Sequence, residues 1–487
     1  MRQKGLQELC LGLLARNIDA CPTLQFIPSE LCDRLFELVL QLHPPSTQTL
    51  RLLATLAPGN VTTLDLTGVK ALNETALLTM LTQTSLLRHL SLRDEPRGPF
   101  VTARVLATVA TLTDLRELSL VKCNNLTDAS LRILGGSLGK LVSLRLEGMK
   151  KVTSAGLDGL SGLAGLSELS LAQCPLVSSL GKIPKMIVLQ LRVLDVSFTG
   201  LLGSSLKNLT TLLSSSGKLD RLLLRGLSLS PKAFAGEVVL RGQLLTRMSS
   251  FAVAGNVNIG RLPDLSLIMA LSGLVALDLN KTQINVEGVG LLTTSHLSST
   301  LKVFGLAKTR VAQEIGSLLR EFRGLRFADI SFNYFQSLSL LLEDLRHHPG
   351  TLEMVDASFC DWEAEFTRED LTRFPSILKV VVEELLADEE SKGRKGANSE
   401  LLTIRQGFWD SHFGFYHPGG KHGNKQERKA RSCAIISSFL YFFKGKVRGE
   451  QVGFVMNVCD QPLEGINQSW ARAIKHLIAI HQGDLPH

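Results

Sequence analysis

The sequence predicts an α/β fold of one kind: a leucine-rich-repeat solenoid with a parallel sheet on its concave face, helices on its convex face and a helical cap at the N-terminus. The first observation is that aligning the chain on the pattern LxxLxL, with other apolar residues at some of its positions, gives twelve copies that start 24 to 29 residues apart, which is the spacing of leucine-rich repeats. The second is a composition of 44% hydrophobic but only 6% aromatic residues, which suits many similar core layers better than one irregular core. The copies start at Val61, Leu87, Leu115, Leu141, Leu166, Leu191, Leu219, Met248, Leu274, Leu301, Leu325 and Leu352.

The third repeat, LRELSLVKCNNLTDASL, shows how one copy is expected to fold. Leu118 and Leu120 alternate along a strand and point into the core, and Cys123 closes the turn that follows. Thr127 and Asp128 then supply the N-cap side chains of a helix. Each repeat is therefore predicted to run from strand to turn to helix.

Cysteine recurs at the turn position in two further repeats, as Cys174 and Cys360. A free cysteine behaves as a small buried hydrophobic residue, so these side chains are expected to serve packing rather than chemistry. The array resembles the cysteine-containing, ribonuclease-inhibitor-like class of leucine-rich repeats. That resemblance implies a relation to adaptors that present proteins for ubiquitination.

The residues between the buried leucines are expected to line the concave face, because side chains alternate along a strand. In the first seven strands these positions carry many charges: Asp65, Arg93, Glu117, Arg145, Glu147, Glu168, Arg221 and Arg225. From the eighth strand they become small or apolar: Ala252, Ala254, Ala276, Val303, Gly305, Ala307 and Phe327.

We expect a protein partner to bind this concave face, where a smooth apolar stretch has arginines at one end and aspartates at the other. Such a surface is typical of a peptide-binding groove. The alternative is that short side chains suit the tighter inner curve of the solenoid, and the sequence leaves both open. The candidate partner-binding residues are Arg221, Arg225, Ala254, Asp278, Phe327, Asp329 and Asp356.

Residues 1–42 precede the repeats and are predicted to form two short amphipathic helices. They can be interpreted as an N-terminal cap, since the end of a solenoid must cover its core. However, the spacing of Leu6, Cys10 and Leu14 also resembles an elongin-binding BC box, and Ile27-Pro28-x2-Leu31-x3-Leu35 resembles the cullin box that follows it. In tandem before leucine-rich repeats, these motifs are similar to the front portion of Zyg/Zer-type substrate receptors.

That resemblance covers about the first 390 residues at the level of architecture. It implies docking to elongin C and elongin B, recruitment of a cullin-2-type scaffold, and selection of a protein substrate for ubiquitin transfer. An F-box is the competing interpretation, because IPSELCDRLFELVL also resembles the opening of that module. The F-box interpretation implies a Skp-type adaptor instead. A third interpretation is a scaffold with no link to ubiquitin, whose N-terminus is only a cap.

The chain is expected to continue after the repeats, residues 43–386, with a linker at 387–400 and an aromatic and basic tail at 401–487. The basic stretch KHGNKQERKAR in the tail is interpreted as a solvated loop or as a nuclear-import or nucleic-acid patch. His412, His417 and His422 lack the spacing and the nearby partners of a metal site.

Composition and motifs exclude several classes of protein. The net charge of +8 comes from interleaved charges, which argues against nucleic acid as a partner. No stretch is long and apolar enough for a membrane span, and no secretory signal is recognised. We expect no enzymatic activity, cofactor or metal, because no P-loop or HExxH motif occurs. A cytoplasmic or nuclear location is expected.

Overall fold

The computed structural model describes residues 10–18, 29–42, 61–67, 73–94, 101–201, 217–227, 229, 247–260, 262–349, 351–357, 360–362, 379–381 and 412. The chain forms two compact units. The first comprises Met1–Val382 together with Phe408–Tyr416, and the second comprises Glu383–Gly407 together with His417–His487. Every described residue belongs to the first unit.

Thirteen strands of the first unit form one parallel sheet, in which neighbours follow each other along the chain. They are β1 (Thr63–Asp65), β2 (His89–Arg93), β3 (Glu117–Val121), β4 (Ser143–Glu147), β5 (Glu168–Ser170), β6 (Val193–Asp195), β7 (Arg221–Leu223), β8 (Ser250–Ala252), β9 (Ala276–Asp278), β10 (Val303–Gly305), β11 (Phe327–Asp329), β13 (Met354–Asp356) and β15 (Lys379–Val381). A separate two-stranded parallel sheet pairs β12 (Tyr334–Phe335) with β14 (Asp361–Trp362).

Helices connect most of the strands. Residues 10–16 form α1. The others are α2 (Ser29–Leu42), α3 (Glu74–Gln83), α4 (Ala103–Val109), α5 (Asp128–Ser137), α6 (Lys185–Gln190), α7 (Leu262–Ala270), α8 (Val286–Thr293), α9 (Leu297–Thr300), α10 (Ile315–Arg320) and α11 (Leu338–Arg346), with a 3-10 helix at Ser154–Gly162. None of the helices in the described part of the chain has both the length and the apolar character needed to span a bilayer.

The predicted solenoid is confirmed, since each of the twelve LxxLxL copies contains a strand of the main sheet. The predicted number of repeats, about twelve, is one fewer than the number of strands in the main sheet, thirteen. Lys379–Val381 adds a thirteenth strand beside β13. Its sequence, ILKVVV, aligns with the twelfth copy, LEMVDA, so that Val380 pairs with Val355.

The core lies between the sheet and the helices and is built from rows of side chains in register. Leu90, Leu118 and Leu144 pair directly across β2, β3 and β4, and all three are buried. Further along the same row, Phe304 pairs with Ala328, so a large side chain stands beside a small one. Phe304 also packs edge-on against Phe322, with ring centroids 5.3 Å apart. Such rows bury apolar area at every repeat, which stabilises the stack without a central core.

The turn cysteines are buried free thiols, as predicted. The Cys174 thiol donates to the Leu146 carbonyl of the preceding repeat (3.0 Å), and the Cys360 thiol donates to the Ile330 carbonyl (3.4 Å). Burial raises the pKa of Cys174 to about 12, so its thiol stays protonated. These cysteines therefore tie successive repeats together.

The helix of the third repeat begins where the sequence predicts, at Asp128 after the N-cap residue Thr127. The side chain of Ser130 accepts a hydrogen bond from the Thr127 N–H (3.2 Å). The Asp128 carboxylate has a different role from the predicted cap, because it accepts hydrogen bonds from the N–H (2.8 Å) and hydroxyl (2.7 Å) of Thr153. It links the third repeat to the fourth.

Glycines allow the convex elements of these two repeats to approach closely. A Cβ atom on Gly135 would overlap the backbone carbonyl of Gly159, whereas a Cβ atom on Gly136 would meet nothing within 4 Å. We expect Gly135→Ala to lower the free energy of unfolding by about 1–3 kcal/mol through overpacking. Gly136→Ala, in the same helix, should be neutral or raise it by up to about 1 kcal/mol. Urea denaturation of the two variants checks this, and equal stabilities would contradict the close approach.

Candidate functional site

The N-terminal helix α1 divides into a buried and an exposed face. Leu11, Ala15 and Ile18 are buried in the apolar core of the first unit. Because residues three and four apart share a helix face, these three positions fix which side of α1 the repeats occupy. The opposite side is free to carry a different function.

That opposite side combines apolar and polar residues. Cys10 is exposed, Leu13 is 60% exposed, and Leu14 is half-buried against the core. Arg16 and Asn17 are exposed beside them. We call Cys10, Leu13, Leu14 and Asn17 the α1 stripe. Of the predicted BC-box residues, Cys10 and Leu14 thus lie on or beside exposed surface, and Leu6 lies outside the described residues.

Helix α2 is held against the first repeat. Its residues Cys32, Leu35, Phe36 and Val39 are all buried in the core. Leu31 is half-buried against the same core, while Ile27 and Pro28 lie outside the described residues. Leu35, predicted as a cullin contact, is 0% exposed, because its helix position coincides with the face that caps the repeats.

Asp33 fixes the position of α2 relative to the sheet. Its carboxylate accepts hydrogen bonds from the Thr62 N–H (2.9 Å), the Thr62 hydroxyl (2.6 Å) and the Thr63 N–H (3.0 Å). These bonds join α2 to the first residues of β1. The predicted N-terminal cap is therefore present in α2.

The concave face, the sheet face that points away from the helices, is open over the first strands. Thr63, Asp65, Arg93 and Glu117 are exposed there, and Ser143 and Arg145 of β4 are half-buried. Val121 and Glu147, at the ends of β3 and β4, are buried. The His89 ring lies 3.1 Å from the Glu117 carboxylate. We call the concave face of β1–β4 the open part.

The concave face is closed from β6 onward, where the sequence pattern predicts exposed side chains. Arg221 is still half-buried, but the other six candidate partner-binding residues are buried. The buried outward positions are Val193, Asp195, Ser197, Leu223, Arg225, Ser250, Ala252, Ala254, Ala276, Asp278, Asn280, Val303, Gly305, Ala307, Phe327, Asp329, Ser331, Met354 and Asp356. We call the concave face of β6–β11 and β13 the closed part.

The apolar residues of the closed part do not belong to the core between sheet and helices. Val303, Phe327 and Met354 are each 0% exposed, yet they are not among the residues of the continuous core cluster. Their neighbours in sequence, Phe304 and Ala328, are in that cluster. The sheet is therefore buried on both sides in these repeats.

A buried ion pair crosses the closed part. The Arg225 Nε atom lies 2.8 Å from Oδ2 of Asp278, and both side chains are almost completely buried. Arg225 follows β7 and Asp278 is in β9, so the pair spans strand β8. The outward residues at this point are Ala252, at the end of β8, and Ala254, just after it, whose methyl groups leave room for the arginine side chain.

The same arrangement recurs two strands later. The Asn280 side-chain amide donates to Asp329 across β10 (3.4 Å). The outward residues at this point are Gly305, at the end of β10, and Ala307, just after it. Asp329 also accepts a hydrogen bond from the Ser331 hydroxyl (2.6 Å). The small residues that the sequence predicts as a smooth apolar groove are therefore crossed by polar side chains. Arg225 and Asn280 extend over them from neighbouring repeats.

Asp195 lies in the same row of paired outward positions as Asp278, and it was not among the predicted site residues. It pairs in register with Leu223, which pairs with Ala252 and then with Asp278. Burial raises the pKa of Asp195, while the charge of Arg225 and hydrogen bonds from Ser197 and Ser170 oppose that rise. Reading the middle position of every LxxLxL copy, rather than of the later ones alone, would have identified it.

No protein-family model matches the chain, and no curated protein matches it either. Among solved structures, the chain is similar to an internalin from Listeria monocytogenes, with 16% identity over 72% of this chain and 93% of that one and a TM-score of 0.39. It is similar to a chain of the Rad7 and Elc1 complex in yeast, with 18% identity over 77% of this chain and 97% of that one and a TM-score of 0.44. It also resembles the leucine-rich-repeat ectodomain of the membrane receptor kinase GASSHO1/SCHENGEN3 from Arabidopsis thaliana, in complex with CASPARIAN STRIP INTEGRITY FACTOR 2, with 17% identity over 68% of this chain and 42% of that one and a TM-score of 0.33. These likenesses concern the repeat fold alone.

Proposed function

We propose that this protein is a substrate-recognition subunit of a cullin-type ubiquitin ligase, in which α1 docks on elongin C and the repeats select a protein for modification. The observation that carries the proposal is the division of α1 into two faces. One face is buried in the solenoid, and the other presents an exposed Cys10 and a largely exposed Leu13. The exposed face leaves Cys10 and Leu13 available to a partner.

The α1 stripe suits a helix-in-groove contact. A docking helix of this kind uses residues at positions i, i+3, i+4 and i+7, and the stripe follows that spacing. Leu13 supplies an apolar anchor, and the small Cys10 side chain allows a partner helix to approach closely. The buried face keeps α1 fixed to the repeats, which lowers the entropy lost on binding.

Helix α2 fits the cap role more closely than a docking role. Its apolar residues are used by the core, which favours the second candidate, a scaffold whose N-terminus is only a cap. In that candidate the α1 stripe has no adaptor. The closed part of the concave face leaves the open part as the surface on which either kind of protein would meet a partner. Either role places the protein in the cytoplasm or nucleus.

The test is co-purification of the full chain with elongins B and C. We expect Leu13→Asp and Cys10→Lys each to reduce recovery of the elongins by at least about tenfold, as for loss of a central interface residue. Leu176→Asp is the matched control, because Leu176 is also exposed (50%) but lies in the fifth repeat.

The control variant should bind like the unmodified chain. Undiminished recovery with both α1 variants would rule out the proposal, and so would failure of the unmodified chain to recover elongin C. Recovery of a Skp-type adaptor in its place would support the F-box interpretation of α2.

A further inference from the structure

In repeats three to eleven, a residue at one fixed position just after the strand adopts a left-handed backbone conformation. The φ angles of these residues lie between 51° and 73°, a region that glycine enters freely but that other residues adopt only at a cost. We call them the left-handed row: Lys122, Gly148, Gln173, Phe198, Gly226, Gly255, Lys281, Lys308 and Phe332. Six of the nine are not glycine, so their side chains are kept at this position against backbone strain, which points to a function.

A ladder of backbone hydrogen bonds holds the left-handed row in register. The N–H of each row residue up to Lys308 donates to a carbonyl of the next repeat, at 2.6 to 2.8 Å. Thus Lys281 donates to Ala307 (2.7 Å) and Lys308 donates to Ser331 (2.8 Å). Consecutive row residues are therefore about 4.8 Å apart, as neighbouring strands are. Lys281, Lys308 and Phe332 are direct neighbours along the carboxyl edge of the sheet.

Repeats nine to eleven place cations and aromatic rings at this edge. Lys281, Lys308 and Arg310 are exposed, Phe332 is 42% exposed and Tyr334 is 52% exposed. Arg310 and Tyr334 lie two residues after the row residue of their repeats. We call these five residues the edge surface.

The edge surface is positively charged. The turns that form it contain three cations and no aspartate or glutamate: residues 280–286, 307–313 and 331–337. The next acidic residues, Glu287 and Glu314, lie in α8 and at the N-cap of α10. Among the residues that the structure describes, none of the three cations has an ion-pair partner. Lys281 and Lys308 repel each other, as like charges on neighbouring strands do, and an anionic group between them would replace that repulsion with attraction.

Asn333 joins the turns of repeats ten and eleven. Its side-chain amide donates to the carbonyls of Leu306 (2.9 Å) and Ile330 (2.8 Å), and its oxygen accepts from the Thr309 N–H (2.8 Å). Thr309 lies between the two cations of repeat ten, and Asn333 lies between the two aromatic residues of repeat eleven. These four side chains therefore extend from a backbone that is already fixed, which lowers the entropy lost when a partner binds.

We infer that the edge surface binds an acidic segment of a protein partner, with carboxylates on the three cations and an apolar side chain on the two aromatic residues. The cations belong to two neighbouring repeats, about 4.8 Å apart, which suits two or three carboxylates. The turns on either side, residues 254–260 and 331–337, carry no Lys or Arg. Nucleic acid fits less well, because proteins that bind it neutralise a longer run of phosphates.

The edge surface lies beside the closed part, so a partner held there needs no access to the buried outward positions of β9–β11. The inference does not rest on the proposed docking of α1, because a scaffold protein could use the same surface. Variants of the edge surface should leave co-purification with elongins B and C unchanged. The two proposals can therefore fail separately.

The first test measures binding of a fluorescein-labelled acidic peptide, GSDEDFDEWGSG, to the full chain by fluorescence anisotropy. We expect Lys281→Glu combined with Lys308→Glu to weaken binding at least about tenfold, because each change replaces an attraction by a repulsion. The matched control is Lys182→Glu combined with Lys302→Glu, which changes the net charge equally at exposed lysines outside the edge surface. The control should stay within about twofold of the unmodified chain, since distant surface charges are screened.

Two further probes identify the chemistry that is recognised. The same peptide with Asn and Gln in place of Asp and Glu should bind at least about tenfold more weakly. An oligothymidylate should bind more weakly than the acidic peptide. The inference would be overturned by no binding of the acidic peptide, by equal binding of the two peptides, by tighter binding of the oligothymidylate, or by equal losses in the two double variants.

The second test separates binding from stability. Lys308→Gly removes a cation and also relieves the backbone strain, because glycine adopts the left-handed conformation freely. We expect the urea midpoint of unfolding to stay unchanged or rise, while the affinity for the acidic peptide falls about threefold or more. A lower midpoint would show that Lys308 serves the fold, and an unchanged affinity would show that it does not meet the peptide. Either result would contradict the inference.

Discussion

Replacing Arg225 by methionine is expected to lower the free energy of unfolding by about 3–5 kcal/mol, a large loss for a single substitution. The reason is that the Asp278 carboxylate, in a side chain with almost no exposure, would lose its ion-pair partner. Asp195 would also lose the nearby positive charge that partly offsets its burial. Urea denaturation followed by circular dichroism measures the change.

The loss of unfolding free energy caused by Arg225→Met is also expected to depend on pH, and the pKa of Asp195 sets the direction of that dependence. Burial raises the pKa of Asp195 in the folded protein. A carboxyl group whose pKa is raised by folding lowers the stability of the folded protein at pH values above the raised pKa, where the group is ionised. As the pH falls below the raised pKa, the group binds a proton and this loss of stability disappears. Removing Arg225 removes a group that lowers the pKa of Asp195. The difference between variant and unmodified chain should therefore shrink as the pH is lowered from neutrality.

Arg192→Met provides the control for this prediction. Arg192 pairs with Asp220 at 3.3 Å, but the arginine side chain is 64% exposed, so its loss should change stability by less than about 1 kcal/mol. Equal losses for the two variants would show that Arg225 is solvated and that the closed part is open. Adding Asp278→Leu to Arg225→Met should recover part of the stability, because it removes the buried carboxyl group that has lost its arginine partner.

The second large effect is expected for Asn256→Ala. The buried Asn256 amide donates to the carbonyls of Leu224 (2.8 Å) and Val253 (2.7 Å). Its oxygen accepts from the N–H groups of Leu227 (3.1 Å) and Leu229 (3.2 Å). One side chain thus satisfies four backbone groups at the junction of two repeats.

Alanine at position 256 would leave the Leu224 carbonyl and the N–H groups of Leu227 and Leu229 without this partner, while the Val253 carbonyl would keep the hydrogen bond from the residue 256 N–H (3.3 Å). Each unsatisfied buried group costs about 1–3 kcal/mol. We expect a loss of at least about 3 kcal/mol, since water can reach some of them after local relaxation. Asn258→Ala, two residues later at an exposed position, should change stability by no more than about 0.5 kcal/mol. Thermal and urea unfolding compare the two, and a loss below about 1 kcal/mol for Asn256→Ala would contradict these four hydrogen bonds.

The fold was predictable because each repeat follows the same local rules. The leucines of LxxLxL specify a strand and its inward face, and Thr127 marks the start of a helix. The thirteenth strand was not predicted, although Val380 pairs with Val355, which occupies the same position in the twelfth copy. The pattern that admits Val355 in the twelfth copy also includes Val380.

The state of the concave face was not predictable from the same pattern. Alternation along a strand gives the direction of Asp278, Phe327 and Asp356, but not whether another segment covers them. Burial of Phe327 depends on contacts between residues distant in sequence. The role of Ala252 and Ala254 was not predictable either. They leave room for the Arg225–Asp278 ion pair, which joins residues 53 positions apart in the sequence.

The N-terminal segment was predictable in part. Two helices occur where two were expected, and Cys10 is exposed as a docking residue would be. Leu35 is buried because α2 packs its apolar face against the first repeat. A helical pattern identifies an apolar face, but it does not say whether the same chain or a partner covers it.

The division of the concave face into an open part over β1–β4 and a closed part from β6 onward decides where a partner can bind. Carbodiimide labelling of the unmodified full chain tests this division most directly. We expect Asp65 and Glu117 to be labelled at least about tenfold faster than Asp278 and Asp356, because a buried carboxylate reacts only through local opening. Labelling of all four at similar rates would contradict it.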